Sequence, residues 1–330
     1  MGVLAFGTND NSTVKLWSKS VEREVLPKTL VGKFIGSGAG SIIQSKDELQ
    51  KSAGDRIRMN LSYLLSARGR QGNEVLEGNE EVPTFATQDI NINQLRNAVR
   101  HYGRIDKQRV VYDVRRDGRD QLSDWWADRL DVSFINQVVG NGAQTDTAYT
   151  GNNAIAAPST NNVMWAGSAT SAATLTSSDT FDLSLVDKAV TRAKTLHDVY
   201  SQPIIKPVKI SGGDYYVMLL HPYQVKAMRT DTSTGQWLDI QRAAMQGGEI
   251  AKNPIFSGAL GVHNGVIFFE SPRMPLGNDT STAVASTRSA VLLGAQSCFL
   301  AYGREGGRAE RYLWNEEKTC LPLGGDAMVN

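Results

Sequence analysis

Hydrophobic residues recur at every fourth position between residues 113 and 139, and this spacing predicts a long amphipathic helix. The repeat consists of Leu122, Trp126, Leu130, Phe134 and Val138. Gly140 follows, and glycine commonly occupies the position after a helix end. At 1.5 Å per residue the helix would be roughly 40 Å long, so it is long enough to support a flat domain.

Two segments with alternating apolar and polar residues predict an antiparallel β-ribbon over residues 55–95. The first runs from Arg56 to Leu64, and the second runs from Val82 to Ile92 with an interruption at Pro83. The connection between them is far longer than a tight hairpin turn. A two-stranded ribbon is only marginally stable alone in water, so we expect a neighbouring surface to hold it.

Further patterns predict a helix over residues 182–198 and a buried strand over 215–220, the latter from a continuous apolar run. Pro222 is suited to the first turn of another helix. The apolar segments 266–269 and 290–293 are further strand candidates. Helices and strands that follow one another without a regular repeat indicate an α+β fold.

Two polar segments have too little apolar content to form a core. Residues 1–54 are interrupted by Gly36, Gly38 and Gly40 and read as an arm that must lie on another surface. Residues 141–180 are rich in Asn, Thr, Ser, Gly and Ala and read as an exposed insertion, with Met164 and Trp165 as an anchor.

The net charge of the 330 residues is only +1, so no global field indicates nucleic acid or a membrane, and charge must act in local patches. One patch lies in the connection of the ribbon and consists of Arg68, Arg70, Glu74, Glu77, Glu80 and Glu81. A solvated loop and a surface that pairs with another subunit both fit this pattern.

A second patch is basic and follows the ribbon, over residues 96–119. Its arginines are Arg96, Arg100, Arg104, Arg109, Arg115, Arg116 and Arg119. Aspartates are interspersed and aromatic residues are few, which favours ion pairing within or between chains. Weak contact with nucleic acid is the alternative.

No catalytic motif is present in the sequence. There is no phosphate-binding P-loop, no HExxH or GxSxG motif and no metal-spaced Cys/His cluster, and the four histidines are scattered. Cys298 and Cys320 lack CxxC spacing and are expected as reduced thiols, with a single disulfide as the alternative.

Residues 1–15 do not resemble a signal peptide, and no apolar run has the length of a membrane span. We therefore expect a non-enzymatic protein of the cytoplasm without cofactor or metal, although an enzyme of unrecognised type and a nucleic-acid-binding protein remain alternatives.

The order of arm, charged ribbon, long helix and mixed domain resembles the HK97-fold capsid subunit of tailed bacteriophages. At residue level the chain is similar to the major capsid proteins of N4-like phages, from about Leu16 to Gly303. The segments that carry this resemblance are Val75–Glu81, Leu122–Trp126, His221–Val225, Asn253–Gly261 and Leu293–Gln296.

The resemblance implies an N-terminal arm (1–54), an extended β-ribbon loop (55–95), a peripheral domain with a spine helix (96–180), an axial domain with returning peripheral strands (181–303) and a C-terminal segment (304–330). It also implies hexamers and pentamers that form a shell around double-stranded DNA. Only about fifty residues precede the ribbon, so scaffolding is expected as a separate protein, and portal and decoration proteins are further expected partners. The ribbon tip would pair with the basic residues of a neighbouring subunit.

Overall fold

The computed structural model describes most of the chain between residues 25 and 303. The described residues are 25, 28–46, 54–62, 65, 68–83, 85–100, 114–200, 204–210, 212–231, 261–279, 282–303 and 312. For residues 61, 62, 86, 114, 115, 198–200 and 279 only the backbone is described. Arg104, Arg109, Cys320 and nearly all of the predicted C-terminal segment lie outside these residues.

The α-helices whose bounds are described are α1 (Val114–Val139), α2 (Thr147–Thr150), α3 (Leu183–Tyr200) and α4 (Pro222–Thr230). Short 3-10 turns cover Val31–Phe34, Thr160–Asn162 and Ala172–Thr174. The predicted long helix is confirmed as α1. The helices predicted over 182–198 and from Pro222 are confirmed as α3 and α4.

The described strands fall into four sheets. They are β1 (Ile35–Gly36), β2 (Ile43–Lys46), β3 (Arg56–Ser62), β4 (Phe85–Asn91), β5 (Val208–Ile210), β6 (Gly213–Leu220), β7 (Gly261–His263), β8 (Val266–Glu270), β9 (Gly277–Asp279), β10 (Thr282–Val284), β11 (Val291–Leu293) and β12 (Cys298–Ala301). The order in the central sheet is β11-β6-β8-β7, and β5 pairs with the start of β6. Of these neighbours β8 runs parallel to β6, and β5 and β11 run antiparallel to it. The buried strand predicted over 215–220 is β6, which begins two residues earlier.

Strand β6 contributes side chains to two hydrophobic cores, one on each face of the central sheet. Tyr216, Met218 and Leu220 enter a core that includes residues of α3 and α4. Val217 and Leu219 enter a second core that includes residues of the arm and of α1. Because successive side chains of a strand point to opposite faces, a strand covered on both sides must be apolar throughout.

Helix α4 begins directly after β6 with a reciprocal cap. His221 Nδ1 accepts a hydrogen bond from the backbone N–H of Tyr223 at 3.2 Å, and Gln224 Oε1 accepts one from the N–H of His221 at 2.9 Å. Pro222 occupies the first turn, where its missing N–H is not needed. Burial lowers the pKa of His221, which favours the neutral ring that this acceptor role requires.

The apolar stripe of α1 is divided between two cores. Leu122, Trp126 and Leu130 pack with Val25 and Tyr312, and the Trp126 and Tyr312 rings meet edge to face at 5.3 Å. Phe134, Ile135 and Val138 belong to the core beneath β6. The helix ends at Val139, as predicted. Gly140 follows it with a φ of 70°, a conformation that favours glycine after a helix end.

Asp131 fastens the arm to α1. Its carboxylate is almost fully buried and accepts hydrogen bonds from the backbone N–H groups of Leu30 and Val31, both at 3.1 Å. Arg273, in the segment after β8, lies 3.6 Å from the same carboxylate. Burial raises the pKa of Asp131 above its ordinary value, and the two backbone N–H groups oppose that shift. The arm, α1 and the segment after β8 therefore meet at one buried acidic group.

Residues 141–180 are fastened more firmly than an exposed insertion would be. Much of the segment is solvent-accessible, and Met164 and Trp165 are half-buried as the predicted anchor. However, Ala172 is fully buried, and Arg192 of α3 donates a hydrogen bond to the carbonyl of Val163 at 2.9 Å. Polar composition indicated surface exposure, but backbone carbonyls in this segment accept hydrogen bonds from the helices beneath them.

Replacement of Asp131 by alanine should lower the free energy of unfolding of the unassembled subunit by about 1–3 kcal/mol, because the N–H groups of Leu30 and Val31 lose their acceptor. Urea denaturation followed by circular dichroism measures this change. Asp124→Ala is the matched control, since it removes only the exposed ion pair with Lys28. That control should cost about 0–1 kcal/mol, and an equal loss in the two variants would contradict the role given to Asp131.

Candidate functional site

Strands β3 and β4 form a two-stranded ribbon that extends the polypeptide away from both main cores. Their register pairs Arg56 with Asn91 and Ser62 with Phe85. Ile57 is buried near the start of β3, whereas Arg58 and Asn60 on β3 and Phe85 and Thr87 on β4 are exposed. The predicted ribbon is therefore present, and residues 82, 83 and 92 of its second predicted strand lie outside β4.

An acidic residue organises one face of the ribbon. Asp89 accepts hydrogen bonds from Arg58 Nε at 2.8 Å and from Arg56 Nη1 at 3.3 Å. The hydrogen bond from Arg58 holds the pKa of Asp89 below its ordinary value. Each of these ion pairs is exposed to water and contributes little to stability by itself.

The ribbon tip, residues 68–81, is built from two successive turns. The N–H of Glu74 donates to the carbonyl of Gln71, and the N–H of Asn79 donates to the carbonyl of Leu76. Gly72 and Gly78 have φ values of 61° and 82°, a backbone conformation that glycine adopts without strain. These turns give the long connection a defined shape.

Charged residues within the tip pair with one another. Arg68 Nη2 lies 3.3 Å from Glu74 Oε1, and Arg70 Nη1 lies 3.9 Å from Glu74 Oε2. Glu80 accepts a hydrogen bond from the N–H of Gly78 at 2.8 Å. The division into a basic side and an acidic side is thus incomplete, because Glu74 joins the arginines six residues or fewer away. Glu77 is exposed and Glu81 is half-buried.

Exposed apolar side chains on the ribbon are the feature that the charge pattern of the sequence obscured. Val82 is 81% exposed and Val75 is 68% exposed. Other large hydrophobic side chains exposed on the ribbon are Leu65, Leu76 and Phe85. A soluble protein seldom exposes such a group of apolar residues unless another surface covers them. The sequence does contain a signal for this group, because Val75, Leu76 and Val82 are apolar in a connection that is otherwise mostly polar.

The basic residues after the ribbon occupy two different structural settings. Arg96 and Arg100 are exposed in the segment that follows β4, and Arg116 is exposed on the first turn of α1. Arg119 is largely buried and lies 2.8 Å from Asp120. Only the backbone of Arg115 is described. Arg119 is therefore already paired within its own helix, whereas the described Arg96, Arg100 and Arg116 side chains are exposed.

Groups with reactive chemistry are scarce in the described part of the chain. Histidine, cysteine, aspartate and glutamate nowhere form a group of three suited to a metal ion among these residues. Burial raises the pKa of Cys298 to about 12, so its thiol is protonated and unreactive near neutral pH. None of the described helices combines the length and apolar content needed to cross a bilayer.

Comparison with known proteins identifies a family and a relative that match most of the chain. The model of a family described as "Phage capsid protein" matches residues 5–321. The major capsid protein of Pseudomonas phage KPP25 is 29% identical over 283 residues, which are 80% of this chain and 72% of that protein.

Solved structures give the same result. The capsid of Ralstonia phage GP4 matches with a TM-score of 0.75 and 30% identity, over all of this chain and 91% of that one. The capsid of cyanophage Pam1 matches with a TM-score of 0.68 and 21% identity, over 92% of this chain and 86% of that one, and supports the fold alone. The predicted HK97-like α+β fold is confirmed, whereas the finer assignment to N4-like phages stays a prediction. This chain belongs to the phage capsid protein family and is a structural subunit of a bacteriophage capsid.

Proposed function

We propose that this chain assembles into hexamers and pentamers that close into an icosahedral shell around a double-stranded DNA genome. The observation that carries this proposal is the ribbon, whose apolar side chains remain exposed in the single subunit. Family membership supports a second copy of the chain as the partner that would cover them.

Apolar contact supplies more of the expected binding energy than charge does. Full burial of a Val, Leu or Phe side chain contributes about 1.5–3 kcal/mol. An exposed ion pair contributes about 0.2–1 kcal/mol. We therefore assign affinity mainly to Val75, Leu76, Val82 and Phe85, and we assign register and orientation to the charges of the tip.

The acidic residues of the tip are the part of the charge pattern proposed to act between subunits. Arg68, Arg70 and Glu74 stabilise the shape of the tip through their mutual pairs. Glu77, Glu80 and Glu81 would then face exposed arginines of the neighbour, of which Arg96, Arg100 and Arg116 are the described candidates. In a closed ring of identical subunits each such contact repeats around the symmetry axis.

The remaining partners follow from the same assignment. Scaffolding, portal and decoration proteins would be separate chains, and assembly would take place in the host cytoplasm before the subunit becomes part of the virion. Contact with packaged DNA would be weak and independent of sequence, since the net charge is only +1. The subunit would act without catalysis, cofactor or membrane.

Electron microscopy of negatively stained protein tests the assembly proposal directly. Protein purified from cells, alone or with its scaffold, should form closed shells composed of rings of six and five subunits. Sedimentation that shows only a compact monomer under every assembly condition would contradict the proposal. Tight, salt-dependent DNA binding by the isolated subunit would favour the nucleic-acid-binding alternative instead.

The double variant Val75→Ser, Leu76→Ser should assemble poorly, because it removes two apolar side chains that contact with a neighbour would bury. The concentration needed for shell formation, measured by light scattering, should rise at least tenfold, which corresponds to about 1.4 kcal/mol at the contact. Val262→Ser is the control, since Val262 is also exposed but lies outside the ribbon. Equal assembly of the double variant and the control would show that the apolar tip residues remain in water.

Reversal of Glu77, Glu80 and Glu81 to lysine should leave the melting temperature of the subunit nearly unchanged and weaken the shell. Shell yield and tolerance of salt and heat measure the effect. Replacement of the three residues by glutamine should have a smaller effect, because glutamine at position 80 still has an oxygen that can accept from Gly78. A second change of Arg96 and Arg100 to glutamate should restore part of the yield. Normal yield and stability of the lysine variant would identify the tip as a solvated loop.

A further inference from the structure

The base of the ribbon is held by a side chain that takes the place of a neighbouring strand. Asn153 Oδ1 accepts a hydrogen bond from the backbone N–H of Asn91 at 2.8 Å, and Asn153 Nδ2 donates one to the carbonyl of Asn91 at 3.2 Å. One amide side chain therefore satisfies both backbone polar groups of the last residue of β4. This is the pattern by which two residues of adjacent strands pair.

Asn153 is itself tied to helix α1. Gln137 Nε2 donates hydrogen bonds to the carbonyls of Thr150 at 2.7 Å and of Asn153 at 2.9 Å. The adjacent Asn136 Nδ2 donates to the carbonyl of Tyr149 at 3.1 Å. Two neighbouring amide side chains of α1 thus hold the backbone of the loop that carries Asn153.

Other contacts at the base of the ribbon permit rotation more readily than this pair does. The N–H of Ile92 donates to the carbonyl of Asp55 at 2.9 Å, which closes the ribbon on itself and not on the domain. Gly303 lies against Ile92, so a methyl group added at that glycine would be 3.1 Å from Ile92 Cγ2. The Asn153–Asn91 pair is directional, whereas van der Waals contact at Ile92 restrains distance more than angle.

We propose that Asn153 is a positioning residue for assembly, which transmits the orientation of α1 to the ribbon through Gln137 and the loop between them. The ribbon acts as a lever about this point. With about 3.3 Å of rise per residue, a seven-residue strand extends roughly 23 Å, so a swing of about 10° displaces its far end by about 4 Å. A displacement of that size separates hydrogen-bonding groups at a subunit contact. Asn153 thereby sets where the tip presents its apolar and charged side chains.

The effect on assembly rests on the proposed function, because it requires contact between the ribbon and a neighbouring subunit. The orientation of the ribbon is a property of the single subunit and is measured there. Pulsed electron paramagnetic resonance gives the distribution of distances between a spin label on Glu77→Cys in the tip and one on Lys188→Cys, an exposed position of α3. The measurement uses full-length unassembled subunits in which Cys298 is replaced by alanine and Cys320 by serine, so that only the introduced thiols carry labels.

Asn153→Ala should broaden the distance distribution by at least about 4 Å, the displacement expected from a strand of this length. Asn152→Ala is the matched control, because the neighbouring Asn152 is exposed and its side chain has no hydrogen bond to other described residues. Asn153→Asp retains an acceptor for the N–H of Asn91 but removes the donor to its carbonyl, so an intermediate width is expected. This aspartate variant also serves as the test if the alanine variant does not fold.

The melting temperature separates positioning from general destabilisation. Support for the proposal requires a broadened distribution in the Asn153 variants while the melting temperature stays within a few degrees of the control. An unchanged width, or equal broadening in Asn152→Ala, overturns it. Shell yield is then measured on the Asn153 and Asn152 variants without the spin-label substitutions, so that Glu77 is intact. A broad distribution with normal shells would show that Asn153 orients the ribbon in the single subunit. It would also show that assembly does not depend on that orientation, and so contradict the proposed role of Asn153 and of the ribbon in assembly.

Discussion

The alternation of side chains along β6 is the constraint on which the rest of the subunit depends. Tyr216, Met218 and Leu220 enter the core formed with α3 and α4, and Val217 and Leu219 enter the core formed with the arm and α1. A strand buried on both faces must be covered by a layer on each side. The arm, which cannot form a core of its own, is part of one of these layers.

The polar contacts around the second core connect the parts that the chain brings in from distant positions. Asp131 of α1 receives two backbone N–H groups of the arm, and Arg273 approaches the same carboxylate from the segment after β8. Six residues further along α1, Gln137 holds the loop whose Asn153 binds the base of the ribbon. The long helix is therefore the common reference for the arm and for the ribbon, which are the parts with the least apolar support of their own.

The ribbon differs from the rest of the subunit because its apolar residues have no described layer over them. Val75 and Val82 remain exposed where the turns and ion pairs of the tip present them. Within the tip, Glu74 pairs with Arg68 and Arg70, so part of the charge that the sequence suggested for a neighbour serves to shape the tip itself. We propose that a neighbouring subunit contacts the exposed apolar group and the other acidic residues of the tip.

Periodicity along the sequence determined the elements with strong repeats: α1, α3, the ribbon strands and β6 all lie near their predicted positions. These patterns are local consequences of burying one face or both faces of a helix or strand. The tertiary structure alone decided which polar side chains meet. Asp131, Gln137 and Asn153 carry no sequence signal, because each binds backbone groups, and a backbone N–H or carbonyl looks the same at every position in a sequence. For the same reason the pairing of Glu74 within the tip depended on the fold of two turns, and composition could not reveal it.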